Sequence, residues 1–147
     1  DVMLTDERWV PEDHDRSNTR LLRERLLVGK AEAARLLPMF LPCEEPEARL
    51  DELAEQIRPN LPLSVVLLGM GADMHTASLF PGADNLEAAL ARNAPILMPM
   101  RAPGADEPRV QVAAAQALPW AIGALGLGAG IGALPHLCRD RFGIHGS

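Results

Sequence analysis

Residues 63–71 narrow what this chain can fold into more than any other stretch. Leu63-Ser-Val-Val-Leu-Leu68 is a short apolar run with a β-branched pair, which predicts a buried strand. Gly69-Met-Gly71 follows at once, and two glycines there let the backbone turn sharply and come close to a ligand. An acid and a histidine, Asp73 and His75, come next, two residues apart. Ligands of open α/β sheets bind outside the carboxyl ends of the strands. The loop is therefore a candidate catalytic site on chemistry alone.

The flanking segments supply the rest of such a sheet. Val2-Met3-Leu4 reads as the end of a strand, and the polar run from Asp6 to Asp15, with Pro11, reads as a loop. Ser17 can cap a helix running to Leu27, with Leu21, Leu22, Leu26 and Leu27 along one side and Gly29 closing it. A second helix is expected over Ala31–Leu37. A third enters at Pro46 and keeps Leu50, Leu53, Ala54 and Ile57 in helical phase until Pro59. Short helices over His75–Leu79 and Asn85–Arg92, then strands over Ile96–Met100 and Arg109–Ala113, complete the pattern. The alternation predicts an α/β fold: a mostly parallel, Rossmann-like sheet with helices on both faces, strand 63–68 at its centre.

Composition limits the size and the partners. With 147 residues the chain is one domain or less, and its opening at Asp1 suggests a partial domain. A net charge of -6 argues against a nucleic-acid surface, although a single pocket can still be locally basic. The cations are 13 arginines and one lysine, taken as a compositional bias of the source. Cys43 and Cys138 are isolated, which predicts no metal site and a reduced, cytoplasmic setting. No signal peptide is visible. Between Val110 and Leu137 there is no Asp, Glu, Lys or Arg, and Ala121–Ala133 carries five glycines. The 15 apolar residues between Pro119 and Pro135 fall short of the roughly 20 that span a bilayer, so no membrane segment is expected.

The loop also carries a resemblance. Gly69-x-Gly71-x-Asp73-x-His75-Thr76-Ala77-Ser78-Leu79-Phe80-Pro81-Gly82 resembles the signature of the 6-phosphogluconolactonases, within the superfamily that also holds the glucosamine-6-phosphate deaminases. Asp6-Glu7-Arg8-x-Val10-Pro11 with Ser17-Asn18 is similar to the family's other block, and Pro108-Arg109-Val110 to a third. Met74 stands where the family usually has Gly, and Gln111 where it usually has Thr. The family's Gly-Gly-Ser/Thr-Pro phosphate loop has no counterpart here. The resemblance implies a partial sugar-phosphate lactonase domain over 1–113, followed by an apolar Gly-rich tail over 114–147.

It also implies roles. The substrate would be 6-phospho-D-glucono-1,5-lactone and the product 6-phosphogluconate, of the pentose phosphate pathway, with no cofactor. His75 would take a proton from the attacking water, since an unperturbed imidazole titrates near neutrality. Asp73 is read either as a helix cap or as the partner that orients the ring. Backbone amides of the 69–76 turn, Gly69 and Gly71 among them, would meet the developing oxyanion. Arg8 and Arg109 would hold the phosphate, and Asp6 would bind sugar hydroxyls or hold Arg8. Ser17 and Asn18 read first as helix caps, Glu44, Glu45 and Glu47 as a solvated linker, and His14, His136 and His145 as surface or tail positions. Two rival readings remain: a truncated, non-catalytic relative that binds a sugar phosphate weakly or acts through a partner, and the deaminase/isomerase chemistry. Oligomeric state is not legible.

Overall fold

The computed structural model describes residues 1–71 and 75–113, together with the backbone of 122–126. The elements run β1 (Asp6–Arg8), α1 (Asn18–Arg25), α2 (Leu50–Ile57), β2 (Val66–Met70), α3 (Leu86–Leu90), β3 (Leu97–Met100), β4 (Arg109–Val112) and β5 (Ile122–Gly126). Strands and helices are interleaved along the chain, so the fold is α/β. Strands β1, β4 and β3 form one sheet in that order, and β2 pairs with β5 in a second.

The expected parallel pattern is only partly present. The β2–β5 ladder is parallel, with Val66 opposite Ile122 and Met70 opposite Gly126. Both ladders of the other sheet, β1–β4 and β3–β4, are antiparallel. The reason is length: the eight-residue connection 101–108 is too short for a parallel crossover, which takes a dozen residues or more, so β3 must fold back on β4. Among the described residues β2 is neither central nor fully buried: it has one ladder partner, and Leu67, with Val65 just before the strand, is 67% exposed (Val65 70%) while Val66 faces the core.

Two expected helices do not form. Residues 31–37 begin as a 3-10 turn, Gly29–Ala33, and then become extended. The Val2 amide donates to the Arg35 carbonyl, and the Leu37 amide donates to the Val2 carbonyl, so pairing with the N-terminal segment overrides local helix propensity. Residues 75–79 form a turn held by bridges of Thr76 to Met70 and Leu79. Helix α1 starts as expected: Ser17 is extended and its hydroxyl accepts from the Arg20 amide.

Side-chain alternation divides the core across the three-stranded sheet. Val110, Val112 and Leu97 point to one face and pack with Leu53 and Ile57 of α2, Trp9, Met39 and Val66. Met98 and Met100 point to the other face, against Ala83, Ala89 and Ala94. Helix α2 is held by Leu53 and Ile57, both fully buried one turn apart, each contributing about 1.5–3 kcal/mol of apolar burial. A recess of about 610 Å³ opens elsewhere, between α1, β2 and the N-terminal segment, lined by Leu22, Leu26, Val65 and Leu67. No described helix is long and apolar enough to cross a membrane. Of the Gly-rich segment 114–147, only 122–126 falls within the described residues, as β5.

Candidate active site

Register brings the sequence candidates together. Arg8 stands opposite Arg109 and Asp6 opposite Gln111 across the β1–β4 ladder. Residues directly opposite share a face, and so do residues two apart on one strand. Asp6, Arg8, Arg109 and Gln111 therefore form one polar patch, on the face that also carries Met98 and Met100.

The signature turn docks on that patch through Ser78, which is fully buried. Its hydroxyl donates to Asp6 Oδ2 at 2.6 Å, and Arg109 Nη1 lies 3.5 Å from both Ser78 Oγ and Asp6 Oδ2. The Ser78 amide donates to Gln111 Oε1 at 2.7 Å. Gln111 Nε2 in turn donates to the carbonyls of Thr5 and Val112. Gln111, conspicuous in the sequence only as a departure from a pattern, thus ties the signature turn to both strands.

His75 follows from the same anchoring. Its ring stacks on Phe80 with centroids 4.2 Å apart and planes 28° from parallel. The Arg109 guanidinium lies over the same Phe80 ring, 5.0 Å from its centroid. One aromatic ring therefore contacts both the candidate base and a candidate anion ligand. Ala77, between His75 and Ser78, has φ +51, a left-handed conformation that costs a non-glycine residue roughly 1–3 kcal/mol. The bonds of Ser78 on one side and the Thr76 bridge on the other hold it there.

The glycines behave differently from expectation. Gly69 lies inside β2 rather than in the turn, its φ is not positive, and a Cβ there would meet no described atom within 4 Å. The Gly71 amide donates to the His75 carbonyl at 2.9 Å. It closes the turn, so an oxyanion donor from this turn is to be sought at another amide. Asp73 lies outside the described residues.

Electrostatics set the patch apart from the surface. Burial, the largest effect, raises the Asp6 carboxyl above the usual carboxylate range against the opposing pull of the Ser78 hydrogen bond and of Arg109. Burial, and then the positive charge of Arg8, lowers the proton affinity of the Arg109 guanidinium. The buried Nε atoms of Arg8 and Arg109 have no hydrogen-bond partner among the described residues. Arg8 Nη1 is held by the Arg16 carbonyl at 2.7 Å and by Asn18 Oδ1 at 2.8 Å. Two adjacent guanidinium groups with unmatched donors suit a multivalent anion. The acids read as a solvated linker are in part engaged: Glu45 and Glu47 grip Arg101 at 2.7 and 2.6 Å, remote in sequence.

Comparison with known proteins places this arrangement. The family model described as "Glucosamine-6-phosphate isomerases/6-phosphogluconolactonase" matches residues 1–116. A 6-phosphogluconolactonase of Rhizobium meliloti is 46% identical over 112 residues, covering 74% of this chain and 48% of that protein. One from Pseudomonas aeruginosa is 42% identical over 115 residues, covering 74% and 47%. Among solved structures, a 6-phosphogluconolactonase from Shewanella baltica superposes with a TM-score of 0.71 at 38% identity, covering 76% of this chain and 48% of that one. The Trypanosoma brucei enzyme gives 0.62 at 28% identity, covering 84% and 56%. The chain spans about half the length of the relatives it matches. With Asp6, Arg8 and Arg109 of two sequence blocks on one sheet face, the signature turn docked on it through Ser78, and the family model covering most of its length, the chain belongs to the glucosamine-6-phosphate isomerase/6-phosphogluconolactonase family.

Proposed function

We propose that this chain carries the catalytic turn and one phosphate-holding wall of a 6-phosphogluconolactonase, which hydrolyses 6-phospho-D-glucono-1,5-lactone to 6-phosphogluconate. The observation that carries the reading is the in-register pair Arg8 and Arg109, whose Nε donors have no partner among the described residues, on the same patch as the turn that bears His75. The lactone carbonyl is already electrophilic, so hydrolysis needs a positioned base and a held substrate rather than a covalent nucleophile. In this mechanism His75 removes a proton from water as the oxygen attacks the carbonyl carbon. The tetrahedral oxyanion collapses, the bond from that carbon to the ring oxygen breaks, and the imidazolium returns the proton to that oxygen. Asp73 orients the imidazole. Arg8 and Arg109 hold the 6-phosphate, and Asp6, bonded to Ser78, receives a sugar hydroxyl.

The lactonase names of the relatives favour this chemistry over the amino-sugar branch of the family. In a protein of the relatives' length, we infer that the sheet continues to a mostly parallel arrangement with helices on both faces. The parallel β2–β5 ladder supports that continuation. A cytoplasmic location accords with a sugar-phosphate substrate. The test is a lactonase assay on freshly generated substrate with this chain and with one extended to the relatives' length. Activity in the extended chain that disappears on His75→Ala supports the reading, and an extended chain with no activity above spontaneous hydrolysis refutes it.

A further inference from the structure

The second residue of the Asp6-Glu7-Arg8 block has a side chain that points away from the polar patch, toward the start of α1. Glu7 is 1% exposed. Its Oε1 accepts from the Arg8 amide at 2.8 Å and from the Asn18 amide at 2.9 Å. Its Oε2 accepts from the Thr19 amide at 2.6 Å and from the Ser17 hydroxyl at 3.2 Å. Among the described residues, every hydrogen bond of the carboxylate is thus with the main chain of Arg8 or with the first turn of α1 and its cap. A negative charge is favoured there, because the first amides of a helix lack internal partners and carry the positive end of its dipole.

The circuit closes on Arg8. Asn18, whose amide Glu7 holds, turns its own Oδ1 back onto Arg8 Nη1 at 2.8 Å, and Arg16, just before the cap, offers its carbonyl to the same atom at 2.7 Å. A single oxygen therefore fixes the backbone from which the guanidinium springs and the backbone of the residue that grips its far end. We propose that Glu7 is a positioning residue: through Asn18 it fixes the direction in which Arg8 presents its guanidinium group, and hence the affinity of the site for the substrate phosphate. The phosphate part rests on the lactonase reading above.

The isosteric Glu7→Gln keeps one acceptor oxygen but sets an NH2 group against N–H or O–H donors. Asn18→Ala leaves the Glu7 contacts to the backbone in place and removes only the return arm. Rotation of the Arg8 guanidinium about its Nε–Cζ bond, read from NMR line shapes of its Nη resonances, should quicken about tenfold or more in both variants. That is the scale of one lost hydrogen bond to a charged group. In parallel, calorimetric affinity for 6-phosphogluconate should fall about tenfold in Glu7→Gln, and should fall no further when Glu7→Gln is added to Arg8→Ala. Lower thermal stability with unchanged Arg8 rotation in both variants would overturn the proposal and leave Glu7 a helix cap alone. Should Glu7→Gln fail to fold, Asn18→Ala decides, since unchanged rotation there breaks the circuit. If Arg8→Ala leaves 6-phosphogluconate binding unaltered, the phosphate role of Arg8 fails, and the rotation measurement still judges Glu7 independently.

Discussion

Replacing Gln111 with Met tests how the signature turn is fastened to the sheet. The side chain is buried and makes three hydrogen bonds, to the Ser78 amide and to the Thr5 and Val112 carbonyls. Met conserves volume, so the change removes polarity without opening a large cavity. The three losses are unequal. The Thr5 carbonyl keeps the Val112 amide as a donor at 2.9 Å, and a carbonyl that loses one of two partners is cheaply tolerated. The buried Val112 carbonyl loses the donor that Gln111 Nε2 supplied, a smaller cost than an orphaned N–H because under-satisfied carbonyls are the better tolerated. The Ser78 amide, in a fully buried residue, loses its acceptor outright. One orphaned buried donor costs about 1–3 kcal/mol, and we expect a loss of about 2 kcal/mol, roughly thirtyfold in the folding equilibrium. Urea denaturation of wild type and Gln111→Met would measure it, and hydrogen exchange should show the Ser78 amide losing protection beyond the global change. A loss under about 0.5 kcal/mol, within the range of ordinary surface substitutions, together with unchanged Ser78 protection, would show that Asp6 and the turn's own bridges suffice without Gln111.

Three further outcomes are expected. In a chain of the relatives' length, His75→Ala should lower turnover by about two to four orders of magnitude with little change in KM, and near-full activity above spontaneous hydrolysis would remove His75 as the base. Arg8→Ala should raise KM about tenfold to hundredfold, more than it lowers kcat, because it removes charge-assisted bonds to a non-reacting group; the reverse split would place Arg8 at the reacting carbon. Asp6→Asn should change the pH dependence of stability: burial raises the Asp6 pKa, so the folded state holds its proton more tightly than the unfolded chain, and wild-type stability falls as pH rises from the unfolded pKa through the folded one. Urea midpoints from about pH 4 to about pH 7 should therefore shift in favour of Asp6→Asn and then level, whereas a shift against it would mean that the Arg109 ion pair outweighs burial.

What the sequence revealed, and what it withheld, follows from how local each signal is. The Ser17 cap is a contact within four residues, and the structure has it. The nearness of Arg8 to Arg109 came from the family pattern, and strand register explains it. The antiparallel turn from β3 to β4 was legible in principle, because no helix was expected between Met100 and Arg109 and so short a loop excludes a crossover. By contrast, the extended course of 34–37 depends on Val2, remote in sequence, and no local propensity reports such a partner. The turn at 75–79 looked helical because Thr-Ala-Ser-Leu carries no breaker. What sets its shape is the distant pair Asp6 and Gln111, which capture Ser78 and hold Ala77 left-handed. Glu7 drew no role because strand alternation sends it away from its neighbours in the motif, and its destination is set by how α1 meets β1.

The facing arginines have a thermodynamic consequence for the fold itself. Like charges directly opposite on neighbouring strands destabilise a ladder, and here both groups also carry a buried Nε donor with no partner among the described residues. If the site binds phosphate as proposed, it acts as a reservoir of stability that ligand releases. A dianion that binds only the folded chain adds RT ln(1 + [L]/Kd), about 2.7 kcal/mol at one hundred times Kd. The melting temperature of this chain then becomes a gauge of the concentration of its sugar phosphate, and the folded population tracks supply of substrate without any dedicated sensing element.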